Sequence, residues 1–324
     1  MQKNYQRKIL WVGAAFLLLG LSVLPGYYLL TGDHSLRQNE HRHKFGAVYM
    51  TLNNPFYEII DEEIRSAVEN NGDILLSRDP ALSVKRQTEE IQELIDSGVE
   101  VLFLNAVDWK EIGPALAIAQ RAHVPVIAID TNVEDDSLVA ATIVSDNYQA
   151  GADCARHLVA HTGGGNIVLL EHTEAKSAVD RIRGFTDAIL DYPSFHIIDR
   201  AECKGQLELA MPAMEKMPAK NQQIDIVMAL NDPAALGAMA ALKNAGQLQR
   251  ILVYGVDGAP ETKEMIAAGH MTATAMQSPR TIGRIAVQRA YEIRAGILGE
   301  KLIKLPTELL THESIGRYPL ERWD

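Results

Sequence analysis

The chain has 324 residues, of which 47% are hydrophobic, so it can bury a substantial core and is long enough for two domains of ordinary size. Its 42 acidic residues outnumber its 31 basic residues, and the formal net charge of -11 argues against a nucleic-acid partner because it repels phosphate backbones. The two cysteines, Cys154 and Cys203, are too few for a disulfide scaffold. We interpret them as buried thiols, and their spacing alone leaves a bond between them open.

The N-terminus combines basic residues with an apolar run. Lys3, Arg7 and Lys8 precede an apolar stretch from residue 9 to about residue 30, close to the ~20 residues that span a bilayer. A cleaved signal peptide is the alternative, but its apolar core is usually only ~7 to 15 residues long. We predict a retained transmembrane helix over residues 1–31 with its basic side in the cytoplasm. The rest of the chain then lies on the extracytoplasmic side of the cell membrane.

Residues 32–44 are polar and lack periodicity, which predicts a solvated stalk. His41 and His43 form an HxH pair within this stalk. Because no second group of ligands accompanies the pair, we predict no metal site. We also expect no cofactor.

From residue 45 onward, short apolar runs alternate with amphipathic stretches, a pattern typical of helices that cross over a parallel sheet. Ile60, Ile64 and Val68 share one helical face, as do Ile91, Leu94 and Ile95. The pattern restarts after about residue 147, which predicts an α/β protein with two doubly wound parallel-sheet lobes. The predicted strands are 45–51, 73–77, 100–105, 125–130, 141–145, 166–171, 195–199, 225–230 and 251–257.

Hydrogen-bonding side chains and aromatic rings follow most of the predicted strands. Open parallel sheets bind ligands beyond the carboxyl ends of their strands, so a cleft between two such lobes would be lined from both sides. The polar and aromatic segments are 51–57, 105–108, 130–132, 145–147, 231–232, 257–258 and residue 277.

In these segments the chain resembles the ribose- and galactose-type periplasmic binding proteins, the solute-binding components of bacterial ABC sugar importers. The resemblance depends on the order and spacing of TLNNPF, VPVIAID, SDN, SAVDRIRGF, ALNDPAALGAMAAL, VYGVDGAP and ATAMQSPRTIG. It implies two lobes that are joined by three crossing segments and close over one sugar. It also implies a first lobe of residues 45–145 plus about 278–306, and a second of about 146–277 plus about 307–324.

The resemblance further implies which side chains contact the ligand. Phe56 and Tyr57 would offer ring faces to the C–H groups of a sugar, and we expect one of the two to face away. Polar side chains would satisfy the hydroxyls, which both donate and accept hydrogen bonds. The implied ligand-binding residues are Asn54, Phe56, Tyr57, Asp130, Thr131, Arg181, Asn231, Asp257 and Gln277.

Some positions depart from the ribose-type pattern. Met50 replaces a serine, Thr131 replaces an arginine, and Val256 and Gly205 stand where aromatic residues are usual. The correspondence at Gly205 can shift by one residue to Lys204 or Gln206. Loss of an arginine removes fixed donors and loss of two rings removes stacking area, so the identity of the sugar stays open.

Simpler interpretations compete with ligand binding at several residues. An aspartate after a strand often caps the next helix; we prefer this interpretation for Asp146, and ligand binding for Asp130 and Asp257. Arg181 is interpreted as a ligand contact and not as a surface residue. The scattered histidines, among them His172, are interpreted as structural or surface residues. No catalytic constellation is evident, so we predict that the protein is not an enzyme.

The predicted function is therefore binding without chemistry. A membrane-tethered monomer would capture a monosaccharide between its lobes and deliver it to an ABC permease. The alternative is a sensor that signals the bound sugar to a membrane receptor such as a histidine kinase. A sugar-responsive repressor is disfavoured because an apolar segment stands where its DNA-reading helices would be.

Overall fold

The computed structural model describes residues 42–217 and 223–323. The predicted transmembrane helix and His41, with most of the predicted stalk, lie outside these residues. Within the described part of the chain, no helix is long and apolar enough to cross a membrane.

Six parallel strands form the first sheet. They are Lys44–Val48 (β1), Ile74–Arg78 (β2), Val101–Leu104 (β3), Val126–Ile129 (β4), Ala141–Ser145 (β5) and Leu302–Leu305 (β11). Their order is β11-β5-β4-β3-β1-β2. The central strands are buried on both faces, which explains why they are continuous apolar runs.

The second sheet repeats this plan. Its strands are Gly165–Glu171 (β6), Phe195–Glu202 (β7), Ile226–Ala229 (β8), Leu252–Asp257 (β9), Ala273–Met276 (β10) and Glu308–Thr311 (β12). Their order is β12-β10-β9-β8-β6-β7, and only β12 pairs in the antiparallel sense within this sheet. The prediction of two doubly wound α/β lobes is confirmed.

Helices connect the strands. They are Pro55–Asn70 (α1), Val84–Asp96 (α2), Gly113–Arg121 (α3), Asn147–His161 (α4), Lys176–Ile189 (α5), Leu207–Lys216 (α6), Asp232–Asn244 (α7), Pro260–Ala267 (α8) and Pro279–Arg294 (α9). Asn54, Ser83, Asp146 and Asn231 cap helices by accepting a hydrogen bond from a backbone N–H of the first turn. The capping interpretation of Asp146 is therefore confirmed.

In the described residues the chain crosses between the sheets three times. It crosses after β5, again between β10 and β11, and finally between β11 and β12. Helix α9 follows the second crossing and packs against α1 beside the first sheet. The carboxyl ends of strands from both sheets therefore come together near these crossings.

The core positions agree with the periodicity of the sequence. Ile60, Ile64 and Val68 are fully buried, and so are Ile91 and Leu94, while Ile95 is half-buried. Cys154 and Cys203 are both buried and form no disulfide.

Candidate ligand-binding site

A cavity of about 20 Å³ lies at the carboxyl ends of the strands and is lined by both lobes. This volume is far below the roughly 300–1,000 Å³ of small-molecule sites, so the lobes must move apart to admit a ligand. The first lobe contributes Met50, Asn54, Phe56, Tyr57 and Asp130. The second contributes His172, Ala175, Ser177, Ala178, Arg181, Lys204, Gly205, Gln206, Leu230, Asn231 and Asp257.

Asp130 is the acid of the first lobe. It follows β4 with a backbone φ of 65°, in the left-handed region that aspartate tolerates better than most other residues with a side chain. Its Oδ2 accepts hydrogen bonds from Asn105 Nδ2 at 3.1 Å and from the Tyr57 hydroxyl at 3.3 Å. Burial raises the pKa of Asp130, and the nearby Arg181 charge and these hydrogen bonds oppose the rise.

Asp257 is the acid of the second lobe. It ends β9 and also has a positive φ, of 141°. Its Oδ1 accepts a hydrogen bond from Gln277 Nε2 at 2.7 Å and lies 3.5 Å from Arg181 Nη1. Its buried Oδ2 has no hydrogen-bond partner among the described residues. Burial raises the pKa of Asp257 well above the usual range, and the nearby carboxylates of Asp232 and Asp130 add to the rise against the opposing Arg181 charge.

Arg181 joins the two acids. Its Nη2 atom lies 4.0 Å from Asp130 Oδ1. Arg181 is only 4% exposed, so the alternative that it is a surface residue is wrong. Nε donates to Asn147 Oδ1 at 2.8 Å, and Nη1 donates to the Leu230 carbonyl at 3.1 Å. One buried positive charge is thus shared between two buried carboxyl groups from different lobes.

Close packing of α4 on α5 holds Arg181 in this place. A Cβ atom at Gly151 would lie 1.8 Å from the Arg181 carbonyl oxygen, and one at Gly184 would lie 2.0 Å from the Tyr148 carbonyl oxygen. Glycine at both positions therefore allows the two helix backbones to touch. This contact brings Asn147 at the start of α4 within hydrogen-bond distance of the Arg181 side chain.

Asn54 and Asn231 line the cavity and also cap helices. Asn54 Oδ1 accepts from the Phe56 N–H at 3.0 Å, and Asn231 Oδ1 accepts from the Ala234 N–H at 3.0 Å. Asn231 Nδ2 also donates to the Gly205 carbonyl at 3.0 Å. Both side chains are therefore fixed in position before any ligand arrives.

Phe56 and Tyr57 both line the cavity, and the expectation that one of them faces away from the ligand stays a prediction. They lie in the first turn of α1, and both are buried. Their rings meet edge to face, with centroids 5.8 Å apart. The Trp323 ring supports Phe56 from behind, also at 5.8 Å.

Two predicted site residues lie behind the wall of the cavity. Thr131 is fully buried, and its Oγ1 accepts a hydrogen bond from the Ser177 N–H at 3.1 Å, which joins the lobes. Gln277 is also buried and holds Asp257. The other seven predicted residues come together around the cavity.

Sequence reasoning missed His172 as a lining residue. His172 was interpreted as a structural or surface residue, but it is buried, follows β6 directly and lines the cavity. Its position just beyond a strand would have identified it. Lys204 and Gln206, the two alternatives to Gly205 in the sequence analysis, line the cavity together with Gly205.

The lobes are closed on each other. Asn53 Nδ2 donates to Gln206 Oε1 at 3.0 Å and to Glu208 Oε1 at 2.8 Å. On another side of the cleft, the Trp109 backbone N–H donates to the Glu174 carbonyl at 3.0 Å. In the part of the chain that the structure describes, no group of three or more His, Cys, Asp or Glu side chains is placed to hold a metal ion.

This fold and this cavity are typical of the class of proteins in which two lobes enclose a small polar ligand. Residues 45–298 match the family model of the periplasmic binding protein domain, and the chain belongs to that family. The predicted resemblance to ribose- and galactose-type periplasmic binding proteins is confirmed. Membership also confirms the prediction of a binding protein in place of an enzyme.

Relatives and solved structures agree with this membership. The ribose import binding protein of Bacillus subtilis is 29% identical over 300 residues, which cover 92% of this chain and 96% of that protein. The binding component of the arabinose ABC transporter from Shewanella sp. ANA-3, solved with L-arabinofuranose, is 27% identical. Its TM-score is 0.79, and the match covers 85% of this chain and 93% of that one. The fructose-binding periplasmic domain of a hybrid two-component system is 26% identical with a TM-score of 0.80, over 85% and 93% of the chains.

Proposed function

We propose that this protein captures one neutral monosaccharide between its lobes and delivers it to an ABC permease. The observation that carries the proposal is Asp257 Oδ2, a buried carboxylate oxygen at the cavity that has no donor among the described residues. An unpaired buried acceptor is costly, so a ligand that donates a hydrogen bond to it would bind strongly.

The charges around the cavity favour an uncharged, hydroxyl-rich ligand. Asp130 and Asp257 can accept hydrogen bonds from a ligand. Arg181, which lies between these two carboxyl groups, can donate them. Sugar hydroxyls donate and accept at once, so they can bridge such groups in pairs. Burial disfavours a further charge in the cavity, because Arg181 already faces both carboxyl groups.

The aromatic rings favour a sugar over a smaller polar solute. Phe56 and Tyr57 offer apolar surface next to the polar groups of the first lobe. A pyranose or furanose ring has C–H faces that pack on such rings while its hydroxyls point outward. In this proposal the seven lining residues of the predicted set contact the sugar, and Thr131 and Gln277 hold the lobes and Asp257 in place.

The names of the relatives support a monosaccharide. Those proteins are named for ribose, arabinose and fructose. The missing second-lobe rings at Gly205 and Val256 and the replacement at Thr131 argue against a site identical to that of the ribose-type proteins.

In the same proposal the apolar run of residues 9–30 tethers the protein to the outer face of the cytoplasmic membrane. A tether keeps the binding lobes close to the permease and raises their local concentration there.

A sensor is the second candidate. The likeness to a periplasmic domain of a hybrid two-component system supports it, because that domain has this fold and belongs to a signalling protein. Neighbouring genes separate the two functions. An ATPase and a permease gene beside this one favour import, and a kinase with a response regulator favours sensing.

A thermal-shift screen of the full-length chain tests the proposed ligand class. Pentoses, hexoses, deoxysugars and polyols are added one at a time at millimolar concentration. At least one neutral monosaccharide should raise the unfolding temperature, because a ligand that binds only the folded state stabilises it. If no sugar or polyol raises this temperature, the sugar assignment is wrong.

A further inference from the structure

His172 is a polar side chain of the cavity that the predicted set of ligand contacts does not include. It is the first residue after β6, and its side chain is only 2% exposed. It lines the same cavity as Asp257, Arg181 and Asn231. The carboxyl end of β6 therefore brings an imidazole ring to the site.

One nitrogen of this ring lacks a hydrogen bond. His172 Nε2 is buried and has no hydrogen-bond partner among the described residues. The nearest carboxylate oxygen, Glu174 Oε2, lies 3.7 Å away, which is longer than a hydrogen bond of about 2.7–3.2 Å. Buried polar groups in folded proteins are nearly always paired, so a free ring nitrogen at a binding cavity indicates a partner that comes from the ligand.

The ring also lies in the second-lobe wall of the cavity, which has no aromatic residue at the positions where the ribose-type proteins have them. Among the described residues that line the cavity from the second lobe, His172 supplies the only ring. Gly205, where the family commonly has an aromatic residue, has a φ of 65° and no side chain. A Cβ atom there would lie 2.8 Å from Asn231 Nδ2, so the backbone leaves no room for a ring at that position.

The charge state of the ring defines which ligand groups it can bind. Burial lowers the pKa of His172, with Lys204 adding to the effect and Glu202 and Glu174 opposing it. At neutral pH the ring is therefore uncharged, with one nitrogen that donates and one that accepts. Such a ring suits a neutral hydroxyl better than a carboxylate or phosphate.

We propose that His172 Nε2 hydrogen-bonds one hydroxyl of the bound monosaccharide and selects for its configuration, which makes His172 a specificity-determining residue. The inference rests on the proposed function and adds a contact from the second lobe. Asp130, Asp257 and Arg181 provide the general affinity for hydroxyls, and His172 discriminates between sugars that differ at one carbon.

The test is a calorimetric comparison of the full-length chain with His172→Phe, which keeps a ring and removes both nitrogens. The probes are the monosaccharide that gives the largest thermal shift, its epimers and its monodeoxy derivatives. The variant should bind the parent sugar at least about tenfold more weakly. One derivative, which lacks or inverts the contacted hydroxyl, should bind the wild type and the variant equally.

Controls separate a contact from a structural effect. His196→Phe changes an exposed histidine on β7 and should leave every affinity unchanged. If His172→Phe does not fold, His172→Leu, which is smaller and also removes both nitrogens, should show the same loss of selectivity at one carbon. Equal weakening of all the sugars, or unchanged affinities, would overturn the role of His172. A wild-type chain that binds none of the sugars would instead overturn the proposed function.

Discussion

At the scale of single residues, the site contains acidic groups whose burial and backbone conformation lower the stability of the folded state. Asp130 and Asp257 both adopt positive φ angles and are both buried. Arg181 offsets part of this cost because its guanidinium lies within 4.0 Å of each carboxyl group. Such costs are common at binding sites, where the ligand later supplies the missing partners.

The raised pKa of Asp257 gives a prediction for stability against pH. In the unfolded chain this carboxyl ionises near its ordinary pKa of about 3.9, whereas burial makes the folded protein hold the proton to higher pH. The folded state therefore benefits fully from the neutral acid below that pH and loses this benefit as pH rises toward the folded pKa. Asp257→Asn, which cannot ionise, should be more stable than the wild type at pH 7 by about 1.4 kcal/mol or more, because one pKa unit corresponds to about that free energy.

Urea denaturation at pH 4 and at pH 7 measures this effect. The stability difference between Asp257→Asn and the wild type should shrink toward pH 4, because there the wild-type carboxyl is protonated in the folded state and about half protonated in the unfolded chain. Asp191→Asn changes an exposed aspartate and serves as the control, with no pH-dependent difference expected. A difference for Asp257→Asn that stays constant with pH would contradict the prediction.

The sequence identified most of these residues but not their contacts. Asp130 and Asp257 were identifiable because they stand within recognisable motifs at strand ends, and Arg181 because it stands within the motif SAVDRIRGF. The positive φ angles of the two aspartates and the sharing of Arg181 depend on packing between lobes that are distant in the chain. His172 stands outside those motifs, and its place just after β6 was the signal that the sequence offered for it.

At the scale of secondary-structure elements, the turn after β7 determines the shape of the second-lobe wall. Gly205 and Gly246 have nearly the same positive φ, 65° and 66°. A Cβ atom at Gly205 would meet Asn231, whereas one at Gly246 would meet nothing within 4 Å. Gly205→Ala should therefore lower the free energy of unfolding by roughly 1–3 kcal/mol more than Gly246→Ala, through overpacking against the α7 cap.

Chemical denaturation compares the free energies of unfolding of the two variants, and calorimetry compares their affinities for the sugar. Both alanines share the cost of a left-handed backbone, so Gly246→Ala corrects for it. Gly205→Ala should also weaken sugar binding, because Asn231 lines the cavity. Equal stability losses in the two variants would show that the contact with Asn231 is unimportant.

All nine strands predicted from apolar runs are present, with ends that differ by at most three residues. Strands β10, β11 and β12 were not predicted. They have only four residues each, and β11 and β12 are edge strands with alternating exposure. Short edge strands of this kind depend on their neighbours for stability, so their local sequence gives a weak signal.

At the scale of the whole molecule, three crossings connect the two lobes, and contacts such as that of Asn53 with Glu208 hold the lobes together. In the proposed function the lobes move as units about these crossings. Closure encloses the cavity and presents one continuous surface from both lobes. A permease or a receptor that reads this surface would respond to the bound state only.

Membrane fractionation tests the proposed tether. The full-length chain, expressed in a bacterial host, should sediment with membranes and stay there after an alkaline carbonate wash. A chain that starts at residue 42 behind a cleavable signal peptide should be recovered in the soluble fraction. Recovery of the full-length product as a shorter soluble protein would mean that the apolar run of residues 9–30 is a cleaved signal peptide.

The central claim is that one sugar binds between the lobes and donates a hydrogen bond to Asp257. Calorimetric titration of the wild type and of Asp257→Ala, with the monosaccharide that gives the largest thermal shift, tests it most directly. Asp191→Ala, which changes an exposed aspartate away from the cavity, is the matched control and should keep the wild-type affinity. We predict one sugar per chain and an affinity about 100-fold weaker in Asp257→Ala, equal to about 2.7 kcal/mol. An unchanged affinity in a folded Asp257→Ala variant would contradict the claim and place the ligand elsewhere.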